Sequence, residues 1–214
     1  MKKLFNSPEN LNNQFVYFNY QIPGMTFGNT GSPIHFFMFM KKRTIVFIDG
    51  NNWYHNSKKM ISNHKDIDFS KIIELVANKF DLEIKEIRYY NSIPDIEDGK
   101  EVYYNHIKFL SDLKKKVFLI FTRKLQKIDE EKREKGIDVK ISVDMMNKCL
   151  IEDKCNCCLL FSGDADFIPV MEIIKKAKKE VITCCTIIGY ARELLQGKFR
   201  YFILRKKDLL ENLK

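Results

Sequence analysis

Val46-Phe47-Ile48-Asp49-Gly50-Asn51-Asn52 is an apolar, β-branched run that stops at a carboxylate, a glycine and two amides. Leu159-Leu160-Phe161-Ser162-Gly163-Asp164-Ala165-Asp166 repeats the same plan more than a hundred residues later. Such continuous apolar runs mark strands buried on both faces, as in parallel sheets. In open parallel sheets ligands bind in the crevice beyond the carboxyl ends of the strands. Asp49, Asp164 and Asp166 fall at that rim, and Asp144 lies on a predicted helix between the two runs. Carboxylates converging there point to a divalent cation.

From Thr44 onward, strand and helix patterns alternate. Thr44 to Ile48 reads as a buried strand and Trp53 to Met60 as a helix. Ser70 is the expected N-cap of a helix whose apolar positions Ile72, Ile73, Val76 and Phe80 fall at helical spacing. Glu86 to Tyr90 is a second strand, closed by Asn91-Ser92-Ile93-Pro94. A helix over Lys100 to Leu113 and a strand over Val117 to Phe121 follow, and the charged stretch Arg123 to Lys135 reads as a loop. Ile141, Met145 and Cys149 make an apolar helical stripe with Asp144 to one side. Strands over Cys158 to Phe161, Val181 to Ile188 and Phe199 to Leu204 are separated by helices over Ile168 to Lys178 and Tyr190 to Gln196. This alternation predicts a parallel sheet covered on both faces.

Composition sets the bounds. The 214 residues are 45% hydrophobic, enough for one well-cored domain burying roughly 70% of its unfolded surface. No apolar run reaches the length of a membrane span, and Met1-Lys2-Lys3-Leu4-Phe5 turns polar before any signal-peptide core develops. Six cysteines without a signal read as reduced thiols, so a cytoplasmic location is expected. Residues 1–39, broken by Pro8, Pro23, Gly24, Gly28, Gly31 and Pro33, form an extension ahead of a domain over 40–214. Its aromatics Phe15, Tyr17, Phe18 and Tyr20 suit an ordered arm, while Met40 equally suits a natural start.

The net charge is +9, with the excess in clusters such as Lys41-Lys42-Arg43, Lys114-Lys115-Lys116, Lys175-Lys176, Lys178-Lys179 and Arg205-Lys206-Lys207. Basic flanks around an acidic pocket suit a polyanion, although lysine-rich helical faces are also ordinary solvated surface. Four carboxylates within about 5 Å would repel by roughly 3 kcal/mol per pair at an effective dielectric near 20. A divalent cation relieves that repulsion, and all-oxygen ligands select Mg²⁺ or Mn²⁺ over zinc. Asp49 and Asp164 are the expected direct ligands, with Asp144 and Asp166 acting through water or a second ion. The plainer alternatives are turn residues for Asp49 and Asp164, a helix N-cap for Asp166 and a cap or loop contact for Asp138.

Other chemistries fit less well. Asp49-Gly50-Asn51 lacks the second acid that an aspartyl phosphotransferase needs two residues on. Cys155-Asn156-Cys157-Cys158 holds one C-x-x-C, and Cys184-Cys185 is its only remote partner pair, so buried thiols outweigh zinc. No histidines among His35, His55, His64 and His106 have ligand spacing. Trp53 and Tyr54 suit either base stacking or core packing.

Phe47-Ile48-Asp49-Gly50-Asn51-Asn52, Arg88-Tyr89-Tyr90, Lys135-Gly136-Ile137-Asp138-Val139, Val143-Asp144-Met145 and Ser162-Gly163-Asp164-Ala165-Asp166-Phe167-Ile168-Pro169 resemble, in order, the motifs of the NYN domain, LabA-like branch, of the PIN-like nuclease group. The resemblance covers Thr44 to Leu204. It implies a three-layer α/β/α sandwich and a metal-dependent endoribonuclease with Mg²⁺ or Mn²⁺ as cofactor and RNA as partner. The family's acids map onto Asp49, Asp144, Asp164 and Asp166, with Asn51, Asn52 and Ser162 as polar neighbours and Lys135 on the family's KGxD element. Gly197-Lys198-Phe199-Arg200-Tyr201 departs from the Ala-Asp pair often found there in relatives. That departure keeps a second class open, a non-catalytic RNA-binding or regulatory module on the same fold. Monomer and homodimer are both compatible with the sequence.

Overall fold

Ile45, Val46, Phe47 and Ile48 are almost completely buried because β1 (Lys42–Asp49) runs through the middle of a six-stranded sheet. The computed structural model describes residues 41–116, 118–124, 126–128, 131–133, 136–196 and 198–214. The extension and Lys135, with Gly197 of the C-terminal motif, lie outside the described residues.

In chain order the remaining elements are α1 (Gly50–Met60), α2 (Phe69–Phe80), β2 (Leu82–Ile93), α3 (Lys100–Lys115) and β3 (Phe118–Lys124). A hairpin of β4 (Gln126–Ile128) and β5 (Glu131–Arg133) precedes α4 (Ile137–Met146), which passes into a π-turn at Asn147–Ile151. Then come β6 (Cys157–Phe161), α5 (Ile168–Lys176), β7 (Glu180–Thr186), β8 (Arg200–Leu204) and α6 (Lys206–Leu210). The sheet order is β3-β2-β1-β6-β7-β8, and every neighbouring pair is parallel. Winding proceeds outward from β1 through β2 to β3, then restarts at β6 and runs the other way. The switch point therefore lies between β1 and β6.

Strand alternation sorts the core into two sides. Val46 and Ile48 pack with Trp53, Ile72, Val76, Leu110 and Leu209, contributed by α1, α2, α3 and α6. Ile45 and Phe47 pack with Ile141, Met145, Val170, Met171 and Ile174, contributed by α4 and α5. The result is a three-layer α/β/α sandwich on a parallel sheet. Among the described residues no helix is long and apolar enough to cross a membrane.

Four local expectations are corrected. β2 does not stop at Tyr90, because Asn91, Ser92 and Ile93 stay in register with Thr122, Arg123 and Lys124 of β3. The polar side chain that looked like a strand end is satisfied locally: Asn91 Oδ1 accepts from Ser92 N, and its amide nitrogen lies 3.3 Å from His106 Nε2. Arg123 to Lys135 is not loop throughout, since β4 and β5 pair antiparallel. Tyr190 to Gln196 contains only a 3-10 turn at Arg192–Leu195. Gly189 in the left-handed region and the Ala191 N–H bonded to Gly163 O pin that stretch across the end of β6 instead.

The cap of α2 is Asp68 rather than Ser70. Asp68 Oδ1 accepts from Ser70 N at 3.0 Å, and Lys116 Nζ donates to both carboxylate oxygens at 2.9 and 3.0 Å. Burial raises the Asp68 pKa, but Lys116 and the Ser70 N–H outweigh it and bring it below the ordinary value. A lowered folded pKa stabilises the fold above the unfolded value, and that contribution is lost as pH falls through the folded one. Asp68→Ala is expected to cost about 1 kcal/mol at neutral pH. In urea titrations the gap between parent and variant should narrow below about pH 4.

Candidate functional site

The switch point between β1 and β6 carries a hydrogen-bonded rim of polar side chains. Asp49, the last residue of β1, caps α1 by accepting from Asn52 N at 3.1 Å. Ser162, just past β6, donates from Oγ to Asp49 Oδ2 at 3.2 Å and accepts from Asp164 N, also at 3.2 Å. Asn52 Oδ1 accepts from Gly163 N at 3.2 Å and from Asn56 Nδ2 at 3.0 Å. Asp164 caps the short 3-10 turn Ala165–Phe167 through the Asp166 N–H at 3.0 Å. Asp49 and Asp164 are half-buried, so both carboxylates are held by donors yet reachable from solvent.

Glycine makes the two turns possible. A Cβ on Gly50 would lie 2.5 Å from the Tyr89 ring and 2.7 Å from Tyr90 O. One on Gly163 would lie 2.3 Å from Gly189 O and 2.8 Å from Tyr190 Cα, where backbone cannot yield. Each acid thus sits beside a position that only a bare backbone fits.

Asp144 occupies a different environment. Its Oδ2 accepts from Arg88 Nη1 at 2.9 Å and from Tyr90 Oη at 2.8 Å, and its Oδ1 accepts from Lys140 Nζ at 2.6 Å. Arg88 also pairs with Glu86 and lies over the Phe121 ring, 4.7 Å from its centroid. The Arg88 and Asp144 side chains are only 8% and 9% exposed, which makes this a desolvated ion pair. Burial opposes the Arg88 charge, but hydrogen bonds with Tyr90 and Glu86 raise its pKa further, so it is always a cation. Burial, opposed by Arg88 and reinforced by Asp144, pushes the Tyr90 phenol up, so it stays a donor. Tyr89 is raised by burial and by the charge of Asp49. Asp49 pairs in register with Tyr90, about 4.8 Å away across the sheet.

The structure therefore joins Asp49, Asn52, Ser162 and Asp164, with Asn51 half-buried in the first turn of α1. Asp166 contributes its backbone N–H while its side chain is exposed, and the N-cap position belongs to Asp164. Asp138 is exposed in the first turn of α4. Among the described residues no three carboxylates bring oxygens within 4.8 Å of one another. Two carboxylates with a hydroxyl and amides suit a hard cation that keeps several waters, as Mg²⁺ does. Trp53 is in the core against Phe69 and Phe161, whereas Tyr54 is 40% exposed with Lys58 over its ring. Sequence reasoning missed the roles of Arg88, Tyr90 and Lys140. Their spacing held the signal, since Arg88 and Tyr90 share one strand face and Lys140 and Asp144 are one helical turn apart.

The sequence profile of the NYN domain family matches residues 43–204, a span that contains the whole rim and the Asp144 network. The chain is also similar to the Low amplitude and bright protein LabA of Synechococcus elongatus. The two are 26% identical over 172 residues, covering 78% of this chain and 86% of the relative.

The two kinds of aspartate should respond oppositely to neutralisation. Asp144→Ala removes one of the two carboxylates on the buried Arg88 and is expected to cost about 3 kcal/mol. Asp49→Asn relieves repulsion with Asp164 and should leave stability unchanged or higher. Denaturant unfolding of both variants beside the parent checks the contrast.

Proposed function

The chain belongs to the NYN domain family, a PIN-like nuclease family, and we propose that it is a divalent-metal-dependent endoribonuclease acting at the β1–β6 rim. The observation that carries this reading is the Ser162 hydroxyl, bonded at once to the Asp49 carboxylate and to the backbone of Asp164. It holds two solvent-reachable acids in fixed positions at the switch point, where α/β sheets bind ligands.

Asp49 and Asp164 would hold Mg²⁺ or Mn²⁺ directly, with Asp166 reaching the ion through water. When bound, such an ion activates water and stabilises the charge that develops on a phosphodiester. Asp144 serves as a fixed negative charge beside the rim, its position set by Arg88, Tyr90 and Lys140. Asn51, Asn52, Ser162 and Lys135 would contact and orient the substrate. Tyr54, exposed on α1 next to Asn51 and Asn52, offers a face on which a base can stack. Some of the clustered lysines are ion-paired, as in Lys115–Asp112, Lys116–Asp68 and Lys198–Glu172. The net charge of +9, which such pairs do not change, favours a polyanion in the cytoplasm, with residues 40–214 as the working unit.

A second reading is an RNA-binding module that does not cleave. It is favoured by one observation: both oxygens of Asp144 are engaged by cations and a phenol. Such a module would need no water activation at the rim.

Labelled RNA incubated with Mn²⁺, with and without chelator, separates the readings. Chelator-sensitive cleavage that falls to background in Asp49→Asn and in Asp164→Asn, with both variants still folded and still binding RNA, is the expected result. Binding without cleavage under any metal supports the module, and cleavage that survives the chelator removes the metal-nuclease reading. In either case affinity should fall steeply between low and physiological salt, because neutralised phosphates release counterions. The change is read as the slope of binding constant against salt.

A further inference from the structure

At the opposite end of β6 from the acidic rim, three thiols converge. The sulfurs of Cys149, Cys155 and Cys158 all lie within 4.8 Å of one another, and the three residues have no solvent exposure. The sequence pairs Cys155 and Cys158 by spacing, but the third member is Cys149 and not Cys184 or Cys185. Cys184 packs on the opposite face of the sheet, and Cys157, between Cys155 and Cys158 in sequence, packs on that face too.

Two backbone irregularities bring the trio together. Cys149 sits inside the π-turn Asn147–Ile151, a rare conformation that is kept mostly at functional places. Asp153 takes the left-handed conformation at φ 49° and reverses the chain toward Cys155. Glu152 N to Asn147 O at 2.8 Å and Lys154 N to Lys148 O at 2.9 Å close the reversal.

A cation is stationed beside the thiols. Lys179 Nζ lies 3.1 Å from the Cys155 carbonyl and is ion-paired with Asp153. Asp153 already balances that cation, so the compensation of the thiolate charge falls to the bound ion itself.

We propose that Cys149, Cys155 and Cys158 form a site for a thiophilic closed-shell cation, zinc(II) or copper(I), separate from the acidic rim. Sulfur donors select such ions over the hard cations suited to the carboxylates. A metal–sulfur distance of about 2.3 Å places the sulfurs roughly 3.8 Å apart, inside the observed limit. On binding, each thiol releases its proton to solvent, three sulfur–metal bonds form and no oxidation state changes. The five residues of β6 put the ion roughly 15 Å from the rim, so its role is to fasten the end of α4 to β6. Asp144 is one turn before Cys149 on that same helix, and its position depends on the same anchor.

The test uses the full chain, stripped with chelator under reductant and then titrated with zinc(II), with copper(I) or with cobalt(II) as a spectroscopic stand-in. One ion per chain by native mass spectrometry, a rise in melting temperature and a sulfur-to-cobalt charge-transfer band are expected. Loss of that band in Cys149→Ser, Cys155→Ser and Cys158→Ser, and its retention in Cys185→Ala and Asp49→Asn, places the ion on the trio. Should the serine variants fail to fold, the parent's band decides by itself. The proposal is overturned if neither ion binds, if ions bind without a sulfur band, or if the isolated chain carries a disulfide within the trio. Zinc and copper titrations compared at equal concentration tell which ion is preferred.

Discussion

One serine hydroxyl ties two acidic residues together, through the carboxylate of Asp49 and the backbone N–H of Asp164, at the place where the winding of the sheet reverses. That constraint organises the strands around it. β1 and β6 must lie side by side, buried over Thr44–Ile48 and Cys157–Phe161, so that Asp49 and Ser162 emerge at the same level. The chain must then turn sharply twice, which is why Gly50 and Gly163 sit where any Cβ would strike a ring or a backbone. Gly189, with φ at 84° and Asn56 against its Cα, seals the second turn from outside. Donors from Asn52, Ser162 and Asp166 replace water the acids give up on folding, which keeps them oriented.

Beside this rim the protein solves the opposite electrostatic problem. Asp144 and Arg88 are desolvated, and a buried ion pair holds only if the remaining lone pairs and protons also find partners. Tyr90, Lys140 and Glu86 supply them, and the Phe121 ring covers the guanidinium and the phenol. Two acids and two bases close this network to near neutrality. The rim acids differ in exposure: Asp49 and Asp164 are half-buried, whereas Asp144 is buried with both oxygens engaged.

How much of this was legible depended on the range of the interactions. The buried strands, their parallel arrangement and the rim acids follow from local pattern, because a continuous apolar run ending at Asp49 or Ser162 has few other solutions. The long β2 was not legible, because its extension rests on pairing with β3, and Asn91 and Ser92 carry turn chemistry that pairing overrides. The Ser70 cap was displaced by Asp68 for a similar reason: both are good caps, and Lys116, far along the chain, decides between them. The Asp144 network needed knowledge of which helix covers which face. Helical spacing put Asp144 beside the apolar stripe, but only the sheet order brings β2 under α4.

The same limit explains why the thiols looked unremarkable in sequence. A C-x-x-C without a second pair resembles ordinary core cysteine, and the third sulfur arrives only through a π-turn that no periodicity announces. In the folded chain β6 then carries oxygen donors at its carboxyl end and sulfur donors at its amino end. α4 touches both through Asp144 and Cys149, which lie on one helix and its continuation. Oxygen and sulfur donors sort hard from soft cations, so two ions could occupy the protein without competing. The soft ion would set the seat of α4, and with it the fixed charge that flanks the hard one.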